Sequence, residues 1–325
     1  MIDPQRPALV LAPMEGITDA PMREFMGASG AFSYAVSEFI RVSVEVLPAK
    51  AIRRWVPELD HGARTVNGLP VQVQILGGDP DRVAASAQNA VAAGALAIDL
   101  NFGCPAKTVN RHDGGATLLK YPKRIEDLVG AVVSAVSVPV SAKLRLGWDD
   151  TAAIHENAER AVAGGVRWIT IHARTRMQGY LPPVNWSLIG EVRRALNVPV
   201  VANGDIWTLD DFRRCQEMTG CHHFMIGRSA LANPRLPLQI ACELGISIQT
   251  ASNEVDWIQI FGQFCSIMGP QSGPDRRLLR LKQWMKLAHL HGEFPYFDAL
   301  KTAANVDELL TTLARLTERP TSVTM

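Results

Sequence analysis

Between residues 8 and 228, short apolar runs alternate with amphipathic stretches of helical period. The runs are 8-ALVLAP-13, 33-SYAVSEF-39, 70-PVQVQILG-77, 95-ALAIDLNFG-103, 139-PVSAKLRLG-147, 167-RWITIHAR-174, 198-VPVVANG-204 and 222-HHFMIGR-228. Most are nearly continuous in apolar residues rather than strictly alternating, the pattern of parallel strands covered by helices. Helices are expected at 80–94, 122–136, 153–165 and 208–220, each closing near Gly or the next β-branched segment. The repeating unit is strand, helix, strand, about 30 residues long. Eight such units in about 240 residues predict an α/β fold of the (β/α)8 TIM-barrel type. A doubly wound sheet is the competing architecture, but no Gly-x-Gly-x-x-Gly follows the first strand.

Beyond residue 240 the pattern becomes purely helical, at 254–268, 276–292 and 305–318, with a breaker cluster 269-GPQSGPD-275. This divides the chain into a catalytic barrel, 1–245, and a small C-terminal helical domain, 246–325. With 325 residues, 47% apolar and 20% charged, the chain is long enough to bury a core without staples, which excludes disorder as its main state. The 33 Lys and Arg against 32 Asp and Glu leave a formal charge of +1, so any nucleic-acid surface must be local. Five cysteines without a C-x-x-C pair, and no secretory-type or membrane-length apolar segment, predict a cytoplasmic protein without a membrane anchor. No compact metal motif or nucleophile elbow is present, and the adjacent His222 and His223 would point to opposite faces of a strand.

In a barrel the C-terminal strand ends share one mouth, which would gather Glu15, Glu38, Gln74, Asn101, Lys143, His172, Asn203 and Arg228. Cys104 follows the fourth run in a glycine-rich loop. It is either a proton donor at that mouth or a small buried residue. Lys143 is a lone cation among apolar neighbours and needs an anion or acceptors; a salt bridge within the barrel is the plainer alternative. His172 can donate or carry charge toward a ligand, or serve as a satisfied structural histidine. At the last two strand ends, 202-ANGDI-206 and 226-IGRSAL-231 offer small residues and a charged donor where a phosphate-bearing cofactor could sit, unless they are two ordinary tight turns.

These segments together resemble the tRNA-dihydrouridine synthase family. The resemblance rests on 12-APMEGITD-19, 72-QVQILGGDP-80, 99-DLNFGCPAKTV-109, 143-KLRLGW-148, 171-IHARTRMQGY-180, 202-ANGDI-206 and 226-IGR-228. Within that family, 36-VSEFIRV-42, the tryptophan at 148 and 280-RLKQW-284 are most similar to the bacterial subfamily that modifies uridine 16 in the tRNA D-loop. The resemblance implies FMN as cofactor, held by Pro13, Met14, Glu15, Gln74, Lys143 and His172, with Asn203, Gly204, Asp205, Gly227 and Arg228 at its phosphate end. It implies NADPH as reductant, with NADH possible, and Cys104 as the acid that protonates C5 of uracil while hydride reaches C6. Asn101 would orient the base, with Ala173 and Tyr180 on the substrate side.

A base inside folded tRNA must be turned out of its stack to react, so a second region has to grip the RNA. Arg276, Arg277, Arg280 and Lys282, followed by Lys286, supply charge with i,i+4 spacings on one predicted helix. The family implies tRNA contacts for Arg41, Arg280, Lys282 and Lys301, the last a lysine where an arginine is expected; Leu287 likewise replaces a polar aromatic. No obligate protein partner is implied. The other functions these residues admit are a small-molecule pyrimidine or enoate reductase on the same barrel and an inactive RNA-binding protein that kept the fold.

Overall fold

The computed structural model describes residues 1–106, 114–249, 251–252 and 254–318, with Gln271 described by its backbone alone. In chain order the elements are β1 (Ala8–Leu11), α1 (Ala20–Gly27), β2 (Tyr34–Val36), β3 (Ile40–Arg41), α2 (Ala49–Trp55), β4 (Val71–Leu76), α3 (Pro80–Ala92), β5 (Ile98–Asn101), α4 (Pro122–Ala135) and β6 (Val140–Arg145). They continue with α5 (Ile154–Ala163), β7 (Trp168–His172), α6 (Trp186–Ala195), β8 (Val200–Asn203), α7 (Leu209–Thr219), β9 (His223–Ile226), α8 (Arg228–Ala232) and α9 (Leu236–Glu243). The C-terminal helices are α10 (Trp257–Met268), α11 (Pro274–His291), α12 (Phe297–Leu300) and α13 (Val306–Thr317).

All strand pairings are parallel, and β2 pairs with both β1 and β4, which closes the sheet into an eight-stranded barrel. The two-residue β3 is an outer addition along β4. The expected (β/α)8 architecture is therefore the one formed. Local chemistry starts and stops its helices. Asp79 accepts a hydrogen bond from the Arg82 N–H ahead of Pro80, and Thr208 and Asp211 form a reciprocal capping box on α7. Gly220 then ends α7 in the left-handed region at φ 62°.

The barrel interior has an apolar layer of Val10, Tyr34, Val36, Ala97, Trp168, Val201 and Met225. A polar layer of Gln72, Gln74, Asp99 and Ser141 is also buried. The fourth run forms a strand only to Asn101. The Asn101 side-chain oxygen accepts the N–H groups of Gly103 and Cys104, which draws the chain off the ladder into a loop. The continuation of that glycine-rich run over 107–113 lies outside the described residues.

The C-terminal helices do not stand apart from the barrel. Trp284 of α11 packs edge-on against Phe25 of α1 at 5.2 Å between centroids, and its indole N–H donates to the Leu231 carbonyl of α8 at 2.8 Å. Phe261, Phe264, Trp257 and Phe294 complete this aromatic cluster, which is continuous with the apolar shell around the barrel. Among the described residues, no helix is long and apolar enough to cross a membrane.

Candidate active site

The C-terminal strand ends surround a cavity of about 490 Å³. Pro13, Met14 and Glu15 line it after β1, and Asn101 and Cys104 after β5. Lys143 and Arg145 come from β6, His172 and Tyr180 from β7 and its loop, Asn203, Gly204 and Asp205 from β8, and Gly227 and Arg228 from β9. Side chains scattered over more than 200 positions thus meet because parallel strands deliver their C-terminal ends to one face.

At one end of the cavity Cys104 is a free cysteine, 8% exposed. Burial pushes its thiol above the ordinary range, against the opposing effect of a hydrogen bond with the Ala106 backbone, so it holds its proton at neutral pH. Lys143 is driven down to about 8, by burial first and then by the neighbouring charge of Arg145, with Asp99 acting the other way. His172 lies well below its usual value because of burial and the charges of Arg145, Lys143, Arg174 and Arg228; it is neutral at pH 7. Its Nδ1 is buried with no hydrogen-bond partner among the described residues.

Arg145 was not among the residues singled out from the sequence. Its Nε donates to the Gly103 carbonyl at 2.8 Å, and its Nη1 donates to the carbonyls of Thr175 and Gly179 at 3.0 and 2.9 Å. One buried guanidinium therefore ties the cysteine loop to the loop that carries Tyr180. The signal was present in 141-SAKLRLG-147, because residues two apart on a strand share a face and Lys143 points into the barrel.

At the other end, Gly204 and Gly227 stand at adjacent strand ends, each packed close against neighbouring protein atoms. A Cβ on Gly227 would lie 3.0 Å from the Met14 sulfur and 3.1 Å from the Ala12 Cβ. Gly204 has φ +120°, a conformation that side-chain-bearing residues rarely adopt. Asp205 also has positive φ, at 48°, and its carboxylate accepts from Arg174 at both oxygens and from Arg228 at 3.3 Å. The Arg228 guanidinium is stacked between Tyr180 and Trp207, 4.3 and 5.1 Å from their ring centroids. Trp207 in turn stacks on His291 of α11 at 4.7 Å, so the C-terminal helices contribute to the rim of the mouth. Trp207, Arg174 and His291 carried no pattern in sequence that marked them for this site.

Several candidates occupy other positions. Gln74 is fully buried below the cavity, where its Nε2 donates to Asp99 at 2.6 Å and its Oε1 accepts from Asn101 at 2.8 Å. It supports the site rather than lining it. Glu38 also stays off the cavity wall and accepts the Gly16 N–H at 2.5 Å. Ala173 is wholly buried behind Gly204, with its N–H donating to the Asn203 carbonyl at 2.8 Å, so its side chain does not face a substrate. Asp205 does line the cavity, but its carboxylate is engaged by Arg174 and Arg228. Arg41 lies on β3 outside the cavity wall, close enough for its charge to favour the Cys104 thiolate.

The basic segment of α11 is not one solvated stripe. Arg280 is 7% exposed and points into the barrel side, where it donates to the carbonyls of Gly16 at 2.7 Å and Ile17 at 2.5 Å and to Asp19 at 3.1 Å. A side chain so engaged is not free for an RNA phosphate. Lys282 donates to the Ala303 carbonyl at 2.7 Å, and Arg277 is half-buried beside Cys265. Arg276 and Lys301 are exposed, each near a carboxylate: Asp19 at 3.6 Å and Asp298 at 2.6 Å.

Comparison with known proteins gives a consistent set of relatives. The family model described as dihydrouridine synthase matches residues 10–317. The tRNA-dihydrouridine(16) synthase of Shewanella oneidensis is 38% identical over 318 residues, covering 96% of this chain and 97% of that protein. The enzyme of the same name from Pseudomonas putida is 41% identical over 281 residues, 86% and 87% of the two chains, and that of Cupriavidus necator 44% over 234 residues, 71% and 73%.

Proposed function

Because this chain belongs to the dihydrouridine synthase family, we propose that it is a cytoplasmic, FMN-dependent enzyme that reduces the C5=C6 bond of uridine 16 in the tRNA D-loop, with NADPH as electron source. The observation that carries this reading is the convergence of a protonated thiol, a half-buried lysine and a neutral imidazole on one cavity. The cavity's 490 Å³ lies within the range of cofactor and small-ligand sites, about 300–1,000 Å³. The unpartnered Nδ1 of His172 and the Arg228 guanidinium on the cavity wall fit a polar, phosphate-bearing group. Pro13, Met14 and Glu15 after β1 would hold it from one wall and Lys143 and His172 of β6 and β7 from another, with Asn203, Gly204, Gly227 and Arg228 at its phosphate end.

Bound FMN, reduced by NADPH, would supply the hydride for C6 of the uracil. Everything else falls to the chain. Cys104 keeps its proton on Sγ until C5 needs it, which its burial favours. The Lys143 ammonium stabilises negative charge that accumulates beside it. Asn101 has one Nδ2 hydrogen left after donating to Gln74, and that donor would be offered to the base. Residues 246–325 act as the RNA-gripping part through exposed cations such as Arg276, Lys286 and Lys301, while the aromatic rim at Tyr180 receives the flipped nucleotide.

Anaerobic spectroscopy tests this reading in one cuvette. The protein titrated with FMN should bind it stoichiometrically, NADPH should bleach the bound flavin, and unmodified tRNA should restore its colour. Failure to bind FMN, or recovery that does not depend on tRNA, would contradict it.

A further inference from the structure

Asp99, Gln74 and Ser141 occupy three neighbouring strands in register, Gln74 opposite Asp99 and Asp99 opposite Ser141. All three are buried inside the barrel. Ser141 Oγ donates to Asp99 Oδ1 at 2.5 Å, and Gln74 Nε2 donates to Asp99 Oδ2 at 2.6 Å. Gln74 Oε1 accepts from Asn101 Nδ2 at 2.8 Å, and Asn101 Oδ1 accepts the N–H groups of Gly103 and Cys104, both at 2.9 Å.

The two ends of this series have fixed polarity. Burial raises the Asp99 carboxyl, but hydrogen bonds from Ser141 and Gln74 and the charge of Lys143 favour its ionised form; a carboxylate only accepts, and backbone N–H groups only donate. The two carboxamides between them are therefore both oriented, since either one reversed would set donor against donor or acceptor against acceptor in a buried place. We infer that Asp99 is a positioning residue for the cysteine loop: through Gln74 and Asn101 it fixes the acceptor that pins the backbone of Cys104. The inference deepens the reading of Cys104 as the acid, but its geometry does not depend on that reading.

Asp99→Asn is nearly isosteric and replaces one acceptor by a donor. An amide at 99 that satisfies Ser141 with its oxygen turns its NH2 toward Gln74, which reverses Gln74, then Asn101, and leaves Asn101 Nδ2 facing the N–H groups of the loop. Pairing it with Gln74→Glu restores the order. The amide NH2 at 99 then donates to one oxygen of the new carboxylate, whose other oxygen accepts from Asn101, and Asn101 Oδ1 again faces Gly103 and Cys104.

The test is the rate of Cys104 alkylation by iodoacetamide in the full-length protein, followed by peptide mass spectrometry so that the other four cysteines are read separately. D99N should raise the Cys104 rate by about tenfold, the effect of losing roughly one buried hydrogen bond at the loop. D99N/Q74E should return it to the wild-type value. A loop held only by packing would give either no change in D99N or no recovery in the double variant, and each result overturns the inference. If D99N alone does not fold, the double variant decides by itself, with wild-type protection supporting the relay and fast alkylation overturning it. No tRNA or flavin enters this assay, so its outcome is distinguishable from a failure of the proposed activity.

Discussion

Cys104 carries the clearest chemical consequence of its surroundings. A thiol that serves as an acid must keep its proton at working pH, and burial moves this one in that direction. Because only the thiolate is alkylated, the upward shift means that Cys104 modification should reach half its maximal rate at a higher pH than a free thiol, which does so at about pH 8.5. A half-rise at or below that pH would remove the electrostatic basis for an acid role. The companion variant Cys104→Ala should lower the single-turnover rate of tRNA reduction by about 10²–10⁴-fold while the flavin spectrum persists. Near-normal turnover would exclude the thiol as an essential acid. Sequence position alone left Cys104 open between a buried packing residue and a proton donor, and the structure makes it both buried and cavity-facing. Burial favours the protonated thiol that the proposed acid role needs.

Strands and helices were largely legible in the order of residues, and the reason is their repeated burial pattern. Continuous apolar runs such as 8-ALVL-11 are needed where helices cover the sheet, while polar residues two apart in other runs, Gln72 with Gln74 and Asp99 with Asn101, mark the inward face. The direction of Arg280 was not legible. Its i,i+4 spacing with Arg276 defines a helix face, but not that this face meets carbonyls 264 and 263 residues earlier in the chain. Arginines are mostly exposed, so composition pointed outward and the fold turned this one in. Arg280→Ala should therefore destabilise the protein by about 2–4 kcal/mol, since it strips donors from two carbonyls and a charge partner from Asp19. Differential scanning calorimetry should show a lower Tm for Arg280→Ala and an unchanged one for exposed Lys286→Ala. An unaltered Tm for Arg280→Ala together with a shallower salt dependence of tRNA binding would return that residue to the RNA surface.

Taken whole, the molecule joins a barrel mouth to a helical segment that packs on the same apolar shell, through Trp284 against Phe25 and His291 against Trp207. On the proposed reading this packing would hold the RNA-gripping part in fixed relation to the cavity, so that one nucleotide would be selected by how the tRNA is seated rather than by the chemistry of uracil, common to every uridine. The central claim is that this seating presents uridine 16 to Cys104 and a reduced flavin. The most direct measurement is to incubate unmodified tRNA with the protein, FMN and NADPH and to map dihydrouridine at nucleotide resolution. The account predicts dihydrouridine at position 16, absent when NADPH or FMN is withheld; product confined to another position, or none at all with flavin bound and reduced, would contradict it.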